Sequence, residues 1–442
     1  AKTHLAGSGQ ITYSITDTAA NLFTDADSNS SANIQGIDVT IDETGGANTY
    51  VNTTQLNAIQ AGVGNSNTVT YTKLTDTATN LASNTADIVN GVAVTINESG
   101  AASTYATVAE IDSLTTRVGQ VSNASLSYEK LNDSATLLAA GTTSYLAGKA
   151  ITIDDSNNTA ATTSELNTIQ TKMGQSGSVS YTKLKDTATL LAANTADIVS
   201  GVAVTIDESG NNTPASTTEI NSLQTAVGNA GNGASLTYTK VSDTSQNLRA
   251  NTGDLEGKTV TVSDASNVAD YGTLISAVTA NNANGTVAGA VSDAVGNLGN
   301  ITVTNATSVT AVITDGTKDL TGTALDSDVT VLDISTNSVQ GAIFDIADID
   351  GGVTILNTNN AGTFTIKDSA TTLAANTSLI NGKAVVIDDT NNTAATVQEL
   401  NAIQAVASSL TYTKLRDTSQ AIRENVDNNN AITDIDGIAV TI

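Results

Sequence analysis

Pairs of adjacent acidic residues recur along this chain of 442 residues and are the side chains best placed to do chemistry. Each pair follows a short run of alternating aliphatic residues, which is typical of a β-strand. Carboxylate oxygens are preferred ligands of Ca²⁺, so a row of such pairs predicts a ladder of weak calcium sites. Acidic and amide residues after a strand also serve as turn and helix-capping groups, and this structural interpretation stays open. The pairs are Asp42-Glu43, Asp154-Asp155, Asp207-Glu208 and Asp388-Asp389, with Asn97-Glu98 as a variant.

Catalytic use of these carboxylates is disfavoured by their repetition. A glycosidase needs two carboxylates, but its pair occupies one place, where one member is desolvated and the other is not. Here the pairs recur in copy after copy. The chain also has no cysteine and one histidine, His4, which excludes thiol nucleophiles and leaves a single imidazole for acid–base work. The sequence therefore predicts a protein that is not an enzyme and that needs no cofactor other than Ca²⁺.

The charge of the chain restricts its partners. Seventeen Lys and Arg residues stand against 44 Asp and Glu residues, which gives a net charge of −27. Nucleic-acid backbones and anionic membranes both require basic residues for binding. No apolar run reaches the roughly 18 residues of a membrane span. We expect no nucleic-acid partner and no membrane insertion.

A repeat of about 55 residues runs through most of the chain. The segment at 180–210, SYTKLKDTATLLAANTADIVSGVAVTIDESG, returns at 70–100 as TYTKLTDTATNLASNTADIVNGVAVTINESG. An Asp followed by Thr or Ser serves as a marker of each copy. From about 263 to 362 the repeat segment that carries this marker is no longer recognisable. The marker aspartates are Asp17, Asp76, Asp133, Asp186, Asp243, Asp368 and Asp417.

Each repeat contains two halves, and each half has a strand pattern followed by a helix pattern. Residues 92–96 alternate between large and small side chains, as in a strand with one buried face. Ile220, Leu223 and Val227 lie three and four residues apart, which puts them on one face of a helix, and Gly228 is a stop signal. Parallel strands joined by helical crossovers are almost always right-handed. The sequence predicts an α/β repeat protein: an elongated, right-handed solenoid of strand and short-helix coils with a parallel sheet, about 55 residues per double coil.

The repeat also contains a tyrosine and, two residues later, a lysine. Tyr71 with Lys73 and Tyr181 with Lys183 are examples. In a core built of small aliphatic residues, the tyrosines are best explained as large core residues, although a row of rings that stack on carbohydrate is an alternative. The lysines are predicted to pair with a carboxylate of the same or the adjacent coil, or to be solvated at the strand ends.

The repeat pattern divides the chain into three parts. Residues 1–262 are predicted to form regular double coils, 263–362 degenerate or inserted coils, and 363–442 regular repeats that finish on an uncapped strand. Uncovered strands invite other chains to pair with them, and a head-to-tail contact that does not close makes fibres. The chain itself is therefore the expected partner. The predicted assembly ends are Ile11, Tyr13, Val440 and Ile442, and the predicted glycosylation sites are Asn52, Asn157, Asn211 and Asn391.

The sequence of residues 13–22 resembles the D-T-A-x-N-L-A repeats of large bacterial surface and secreted proteins of cyanobacteria and proteobacteria. Similar segments occur at 71–81, 181–191 and 412–422. The resemblance implies an extracellular or cell-surface location and a role as a surface-layer, filament or adhesin protein. We expect a structural subunit that polymerises through its solenoid ends. The alternative is an adhesin or a phage-type fibre that binds surface glycans, with 263–362 as the recognition region.

Overall fold

The computed structural model describes residues 13–27, 33–46, 49–101, 104–156, 159–210, 212–298, 306–323, 325, 327–336, 338–390, 393–427 and 437–442. The predicted assembly residue Ile11 and the predicted glycosylation sites Asn157, Asn211 and Asn391 lie outside this range. The chain divides into two compact units, which are Ala1–Asp207 with Asn221–Thr237 and Glu208–Ile220 with Tyr238–Ile442.

Short strands and short helices alternate along the described residues. The strands are β1 Ser14–Asp17, β2 Asp38–Ile41, β3 Val69–Thr70, β4 Lys73–Asp76, β5 Ala93–Ile96, β6 Ser125–Ser127, β7 Lys130–Asp133, β8 Ala150–Ile153, β9 Ser178–Ser180, β10 Lys183–Asp186, β11 Ala203–Ile206, β12 Ser235–Thr237, β13 Lys240–Asp243, β14 Thr259–Val262, β15 Thr286–Ala294, β16 Ala306–Val312, β17 Val331–Asp333, β18 Ala342–Phe344, β19 Thr354–Leu356, β20 Phe364–Asp368, β21 Ala384–Ile387, β22 Ser409–Thr411, β23 Lys414–Arg416 and β24 Ala439–Thr441.

The α-helices fall into a long and a short class. They are α1 Ala19–Asp27, α2 Thr53–Val63, α3 Ala78–Ser83, α4 Val108–Gln120, α5 Ala135–Ala140, α6 Thr143–Leu146, α7 Thr163–Met173, α8 Ala188–Ala193, α9 Thr217–Ala230, α10 Ser245–Ala250, α11 Val268–Val278, α12 Val295–Leu298, α13 Ile346–Ile349, α14 Ala370–Ala375, α15 Thr377–Ile380, α16 Val397–Gln404 and α17 Ser419–Asp427. Single 3₁₀ turns follow α3, α8 and α10 at Thr85–Asp87, Thr195–Asp197 and Thr252–Asp254. Helix α9 runs two residues beyond Gly228, so the predicted stop at that glycine is wrong.

Every strand pair among the described residues is parallel. The predicted α/β class with parallel sheets is therefore confirmed. The sheets are β1-β2-β3, β4-β5-β6, β7-β8-β9, β10-β11-β12, β13-β14-β15-β16-β17-β19, β18-β20-β21-β22 and β23-β24.

In the first unit, the last strand of one sheet and the first strand of the next sheet belong to a single extended segment. Strand β6 ends the sheet β4-β5-β6, and β7 begins the next sheet only two residues later, after Tyr128 and Glu129. We call a strand with the helix that follows it a half-repeat. In β5, Val94 and Ile96 are buried while Ala93 and Thr95 are half-buried, because side chains alternate between the two faces of a strand. Leu81 of α3 and Ile111 of α4 are also fully buried, so the core of this part of the unit is built of aliphatic side chains.

The second unit contains the longest strand. Strand β15 covers Thr286–Ala294, and its register against β16 shifts between Gly289 and Ala290. A Cβ atom at Gly289 would lie 2.7 Å from Cβ of Val262, so this irregularity is built around a residue without a side chain. The largest fully buried side chains of this unit are Tyr271 and Phe344. Among the described residues, no helix combines the length and the apolar character needed to cross a bilayer.

Candidate functional site

The marker aspartate ties together the N-termini of two helices. Asp76 ends β4, and its Oδ1 accepts the N–H of Thr77 at 2.8 Å and Nδ2 of Asn80 at 2.9 Å. Its Oδ2 accepts the N–H and the hydroxyl of Thr53 at 3.1 and 2.6 Å. Thr77 caps α3, and Thr53 is the first residue of α2. One carboxylate thus satisfies backbone donors that a helix N-terminus leaves unpaired, where the helix dipole also favours negative charge.

The same bridge recurs in both units. In each copy the carboxylate accepts two backbone N–H groups. One belongs to the next residue, and the other belongs to the first residue of the preceding helix. That helix is a long one in every copy except that of Asp368, where it is the four-residue α13. Asp293 belongs to the set although Ala294 follows it, so the pattern of Asp before Thr or Ser does not include this copy. Asn297 and Leu298 stand at the spacing found in the regular copies and could have revealed it. The aspartates are Asp133, Asp186, Asp243, Asp293, Asp368 and Asp417.

Hydrogen bonding keeps several of these bridging carboxylates ionised. Burial raises the pKa of Asp76, but hydrogen bonds from Thr53, Asn80 and Thr77 outweigh burial and lower the pKa below its usual 3.8. In Asp243 and Asp293 hydrogen bonds likewise outweigh burial and lower the pKa. The bridge is therefore at full strength at neutral pH and weakens only in acid.

The second member of each acidic pair fills a break in a strand. Oε1 of Glu43 accepts the N–H groups of Thr72 and Lys73 at 2.9 and 2.7 Å. These residues lie where β3 stops and β4 begins. Equivalent bonds reach the other breaks from Glu98, Asp155, Glu208 and Asp389. The carboxylate supplies the acceptor that a continuous ladder would have supplied.

The first member of each pair closes a local turn or an ion pair. Oδ1 of Asp42 accepts the N–H of Thr44 at 3.0 Å, and Asp154 and Asp388 accept the N–H two residues on in the same way. Asp207 instead lies 3.2 Å from Nζ of Lys185. All eight predicted calcium residues thus bind donors of the protein itself. Within the described ranges, no group of three or more His, Cys, Asp or Glu side chains could hold a metal. The structural interpretation explains the pairs, and the calcium ladder stays a prediction.

The repeat lysines bind backbone carbonyls. Nζ of Lys183 lies 3.0 Å from the carbonyl oxygen of Asp155, and Nζ of Lys414 lies 2.7 Å from that of Asp389. Lys240 makes the same contact with Glu208 at 3.1 Å. The predicted carboxylate partner is therefore wrong for these three lysines, since the acidic residue uses its carboxylate for the strand break and offers its carbonyl to the lysine.

Among the repeat tyrosines, Tyr71, Tyr128 and Tyr238 are core residues, as expected, whereas Tyr181 and Tyr412 are half-buried. Tyr71 is 8% exposed, and its hydroxyl donates to the carbonyl of Asp87 at 2.5 Å. Tyr181 donates to the carbonyl of Asp197 at 2.5 Å, and burial with the charge of Asp197 raises its pKa to about 12. Nζ of Lys149 lies 4.5 Å above the ring of Tyr128. Rings buried or covered in this way do not form an open row for carbohydrate.

The predicted assembly ends are exposed where the structure describes them. Tyr13 and Val440 are each 39% exposed, and Ile442 is 82% exposed. The one described glycosylation site, Asn52, caps α2, with its Oδ1 accepting the N–H of Gln55 at 2.8 Å. Thr53 of that sequon is buried and bonded to Asp76. A glycosyltransferase would need to reach this sequon before the chain folds.

No protein-family model matches the chain, and no curated protein matches it.

Proposed function

We propose that the chain is a structural subunit of an extracellular filament or surface layer. In this proposal the half-repeats stack as an elongated, right-handed solenoid, and copies associate through exposed strand edges. The observation that carries the proposal is the bridging carboxylate, which binds two successive helices in copy after copy. A half-repeat whose helix N-terminus is completed by its neighbour behaves as a unit of a stack, in which each repeat depends on the next one for its stability.

The small core of each half-repeat supports the same proposal. Leu74, Leu81 and Ile111 are fully buried, yet each half-repeat contributes only a few such side chains. Aromatic residues make up 3% of the chain, and there is no cysteine. A unit of this size buries too little apolar surface to be stable alone and has no disulfide to compensate.

The outer edge of β24 supplies a surface for association. Among the described residues, β24 pairs with β23 alone. The N–H of Ala439 donates to Thr413, and the carbonyl of Thr441 accepts from Asp417. Because backbone groups alternate in direction along a strand, the N–H of Val440 faces away from β23. In this proposal the strand that pairs with this edge comes from another copy of the chain.

Electron microscopy and light scattering of the purified chain test this proposal. We expect polymers, and we expect Val440→Pro to shorten or abolish them because proline removes the outward N–H while leaving the bonds to β23 in place. Val440→Thr keeps the N–H and is the matched control. The extracellular location is tested by surface labelling of the producing cell. A chain that stays monomeric in every condition and binds a glycan array would contradict the structural role.

A further inference from the structure

Two 3₁₀ turns of the first unit have the same sequence and the same backbone. Residues 84–88 and 194–198 both read Asn-Thr-Ala-Asp-Ile. Asn84 and Asn194 both have φ −123° and ψ 40°. Ile88 has φ −84° and ψ 98°, and Ile198 has φ −86° and ψ 96°. The carbonyl oxygens of the two turns therefore point in the same directions.

An arginine occupies the first turn. Nε of Arg117 donates to the carbonyl oxygens of Thr85 and Ile88, both at 3.0 Å. Arg117 stands in α4, seven residues after the capping residue Glu110. Carbonyl groups at the end of a helical turn carry partial negative charge, which a cation complements. This pair of carbonyls is thus a ready acceptor for a guanidinium group.

A lysine at the equivalent position serves the next half-repeat. Lys172 of α7 also stands seven residues after its capping residue, Glu165. Its Nζ donates to the carbonyl oxygens of Ala139 and Gly141 at 2.5 and 2.7 Å. A cation at this place thus serves two different turns of the same unit, whereas Gly62, Ala226 and Ala277 stand at this position in α2, α9 and α11.

The second turn lacks its cation. Helix α9 packs next to it, and the residue seven positions after Glu219 is Ala226. The short side chain leaves a groove of about 370 Å³. In the part of the chain that the structure describes, no side chain donates to the carbonyl of Thr195 or Ile198. We call this space the Ala226 groove, and its lining residues are Thr195, Asn221, Ser222, Thr225, Ala226 and Asn229.

We propose that the Ala226 groove binds a guanidinium group, carried by an arginine side chain of a partner polypeptide or by a small cationic ligand. The acceptor geometry is that of the turn that Arg117 occupies, and the net charge of −27 favours any cation near the chain. Ser222, Thr225 and Asn229 of α9 also line the groove. This proposal does not depend on assembly of the chain.

Nuclear magnetic resonance titration of the Val440→Pro chain, which should not polymerise and which is labelled with ¹⁵N, tests the proposal. The probes are N-acetyl-arginine amide, the peptide acetyl-Gly-Arg-Gly-amide, and N-acetyl-citrulline amide, which is neutral but nearly the same shape. We expect shifts at the amides of 195–198 and 226. We also expect binding of the arginine probes about tenfold tighter than that of citrulline, because charge-assisted hydrogen bonds are the stronger kind. Tighter binding of the peptide than of the single amide indicates a polypeptide partner, and equal binding indicates a small ligand.

Two variants change the number of turns that can bind the arginine probe. Ala226→Arg should fill the groove and abolish the shifts at 195–198. Arg117→Ala should open the matching turn and add a second set of shifts at 85–88, so that two probes bind instead of one. If Arg117→Ala unfolds, Ala226→Arg still decides the question. Equal affinity for arginine and citrulline, or shifts that persist in Ala226→Arg, would overturn the proposal.

Discussion

The half-repeat at Asp76 and the segment around Asp348 cap their helices with different chemistry. At Asp76 the carboxylate meets only N–H and hydroxyl donors, and its pKa is lowered. At Asp348 a capping box joins two carboxylates: Asp348 accepts the N–H of Asp345 at 2.9 Å, and Asp345 accepts the N–H of Asp348 at 3.0 Å. Burial, with the charges of Asp345 and Asp319, raises the pKa of Asp348 to about 7. Donors around the carboxylate lower the pKa of Asp76, whereas burial and two nearby carboxylates raise the pKa of Asp348.

The largest effect is expected from removal of a bridging carboxylate. Asp76→Ala leaves the first N–H groups of α2 and α3 without acceptors, so the free energy of local opening should fall by about 3 kcal/mol. Hydrogen exchange at the amides of Thr53 and Thr77 measures this loss. Asp293→Ala should cost a similar amount, although no Thr or Ser follows Asp293. A negligible effect at Asp293 would show that the bridge in the irregular region is not equivalent.

The sequence predicted the alternation of strand and helix, the parallel class and the position of most marker aspartates. These features depend on local periodicity and on turn residues, and both can be recognised in one sequence without an alignment. The bridge from Asp76 to Thr53 spans 23 residues, so it could not be found without the packing of α2 against β4. Asp293 was missed because the pattern required a hydroxyl after the aspartate, whereas the bridge uses the backbone N–H. The acceptors of the repeat lysines were predicted wrongly because every residue has a backbone carbonyl, so the sequence does not show which carbonyl a lysine will bind.

The next prediction concerns the pH dependence of local stability, which should differ between the helix caps at Asp348 and Asp76. The pKa of Asp348 in the folded chain, about 7, lies above its ordinary value of 3.8. The folded state therefore binds more protons between these values, and local stability falls as the pH rises from about 4 to about 7. We expect the free energy of opening at α13 to drop by about 3 kcal/mol over that range. Asp348→Asn should remove this dependence.

The control for the pH experiment is the bridge at Asp76. Its pKa is lowered in the folded chain, so its contribution is complete above about pH 4 and is lost only as the pH falls further. Hydrogen exchange at α3 should therefore stay constant over the range in which α13 changes. Parallel changes at both helices would contradict the contrast between the two caps.

A smaller effect is expected at the buried tyrosines. Tyr181→Phe removes the hydrogen bond to the carbonyl of Asp197 and keeps the ring in the core. We expect a loss of about 1 kcal/mol in the free energy of opening of the surrounding half-repeat. Tyr13→Phe changes an exposed tyrosine and is the control. Equal effects of the two substitutions would show that the buried hydroxyl contributes nothing.

The smallest effect separates the two interpretations of the acidic pairs. If protein donors satisfy the carboxylates, a chelator should leave the melting temperature unchanged. Glu43→Gln, which keeps an acceptor at the break before Lys73, should cost less than about 1 kcal/mol. A fall in melting temperature with chelator, reversed by added Ca²⁺, would favour the calcium ladder instead.

The dependence of one half-repeat on the next is tested most directly by truncation. Strand β11 pairs with β10 on one side and with β12 on the other, and a chain ending at Asp207 lacks β12. Hydrogen exchange of residues 203–206 is compared in the full chain and in the truncated chain. We expect protection to fall at least about a hundredfold, which corresponds to roughly 3 kcal/mol. Unchanged protection would show that the half-repeats are independent of one another.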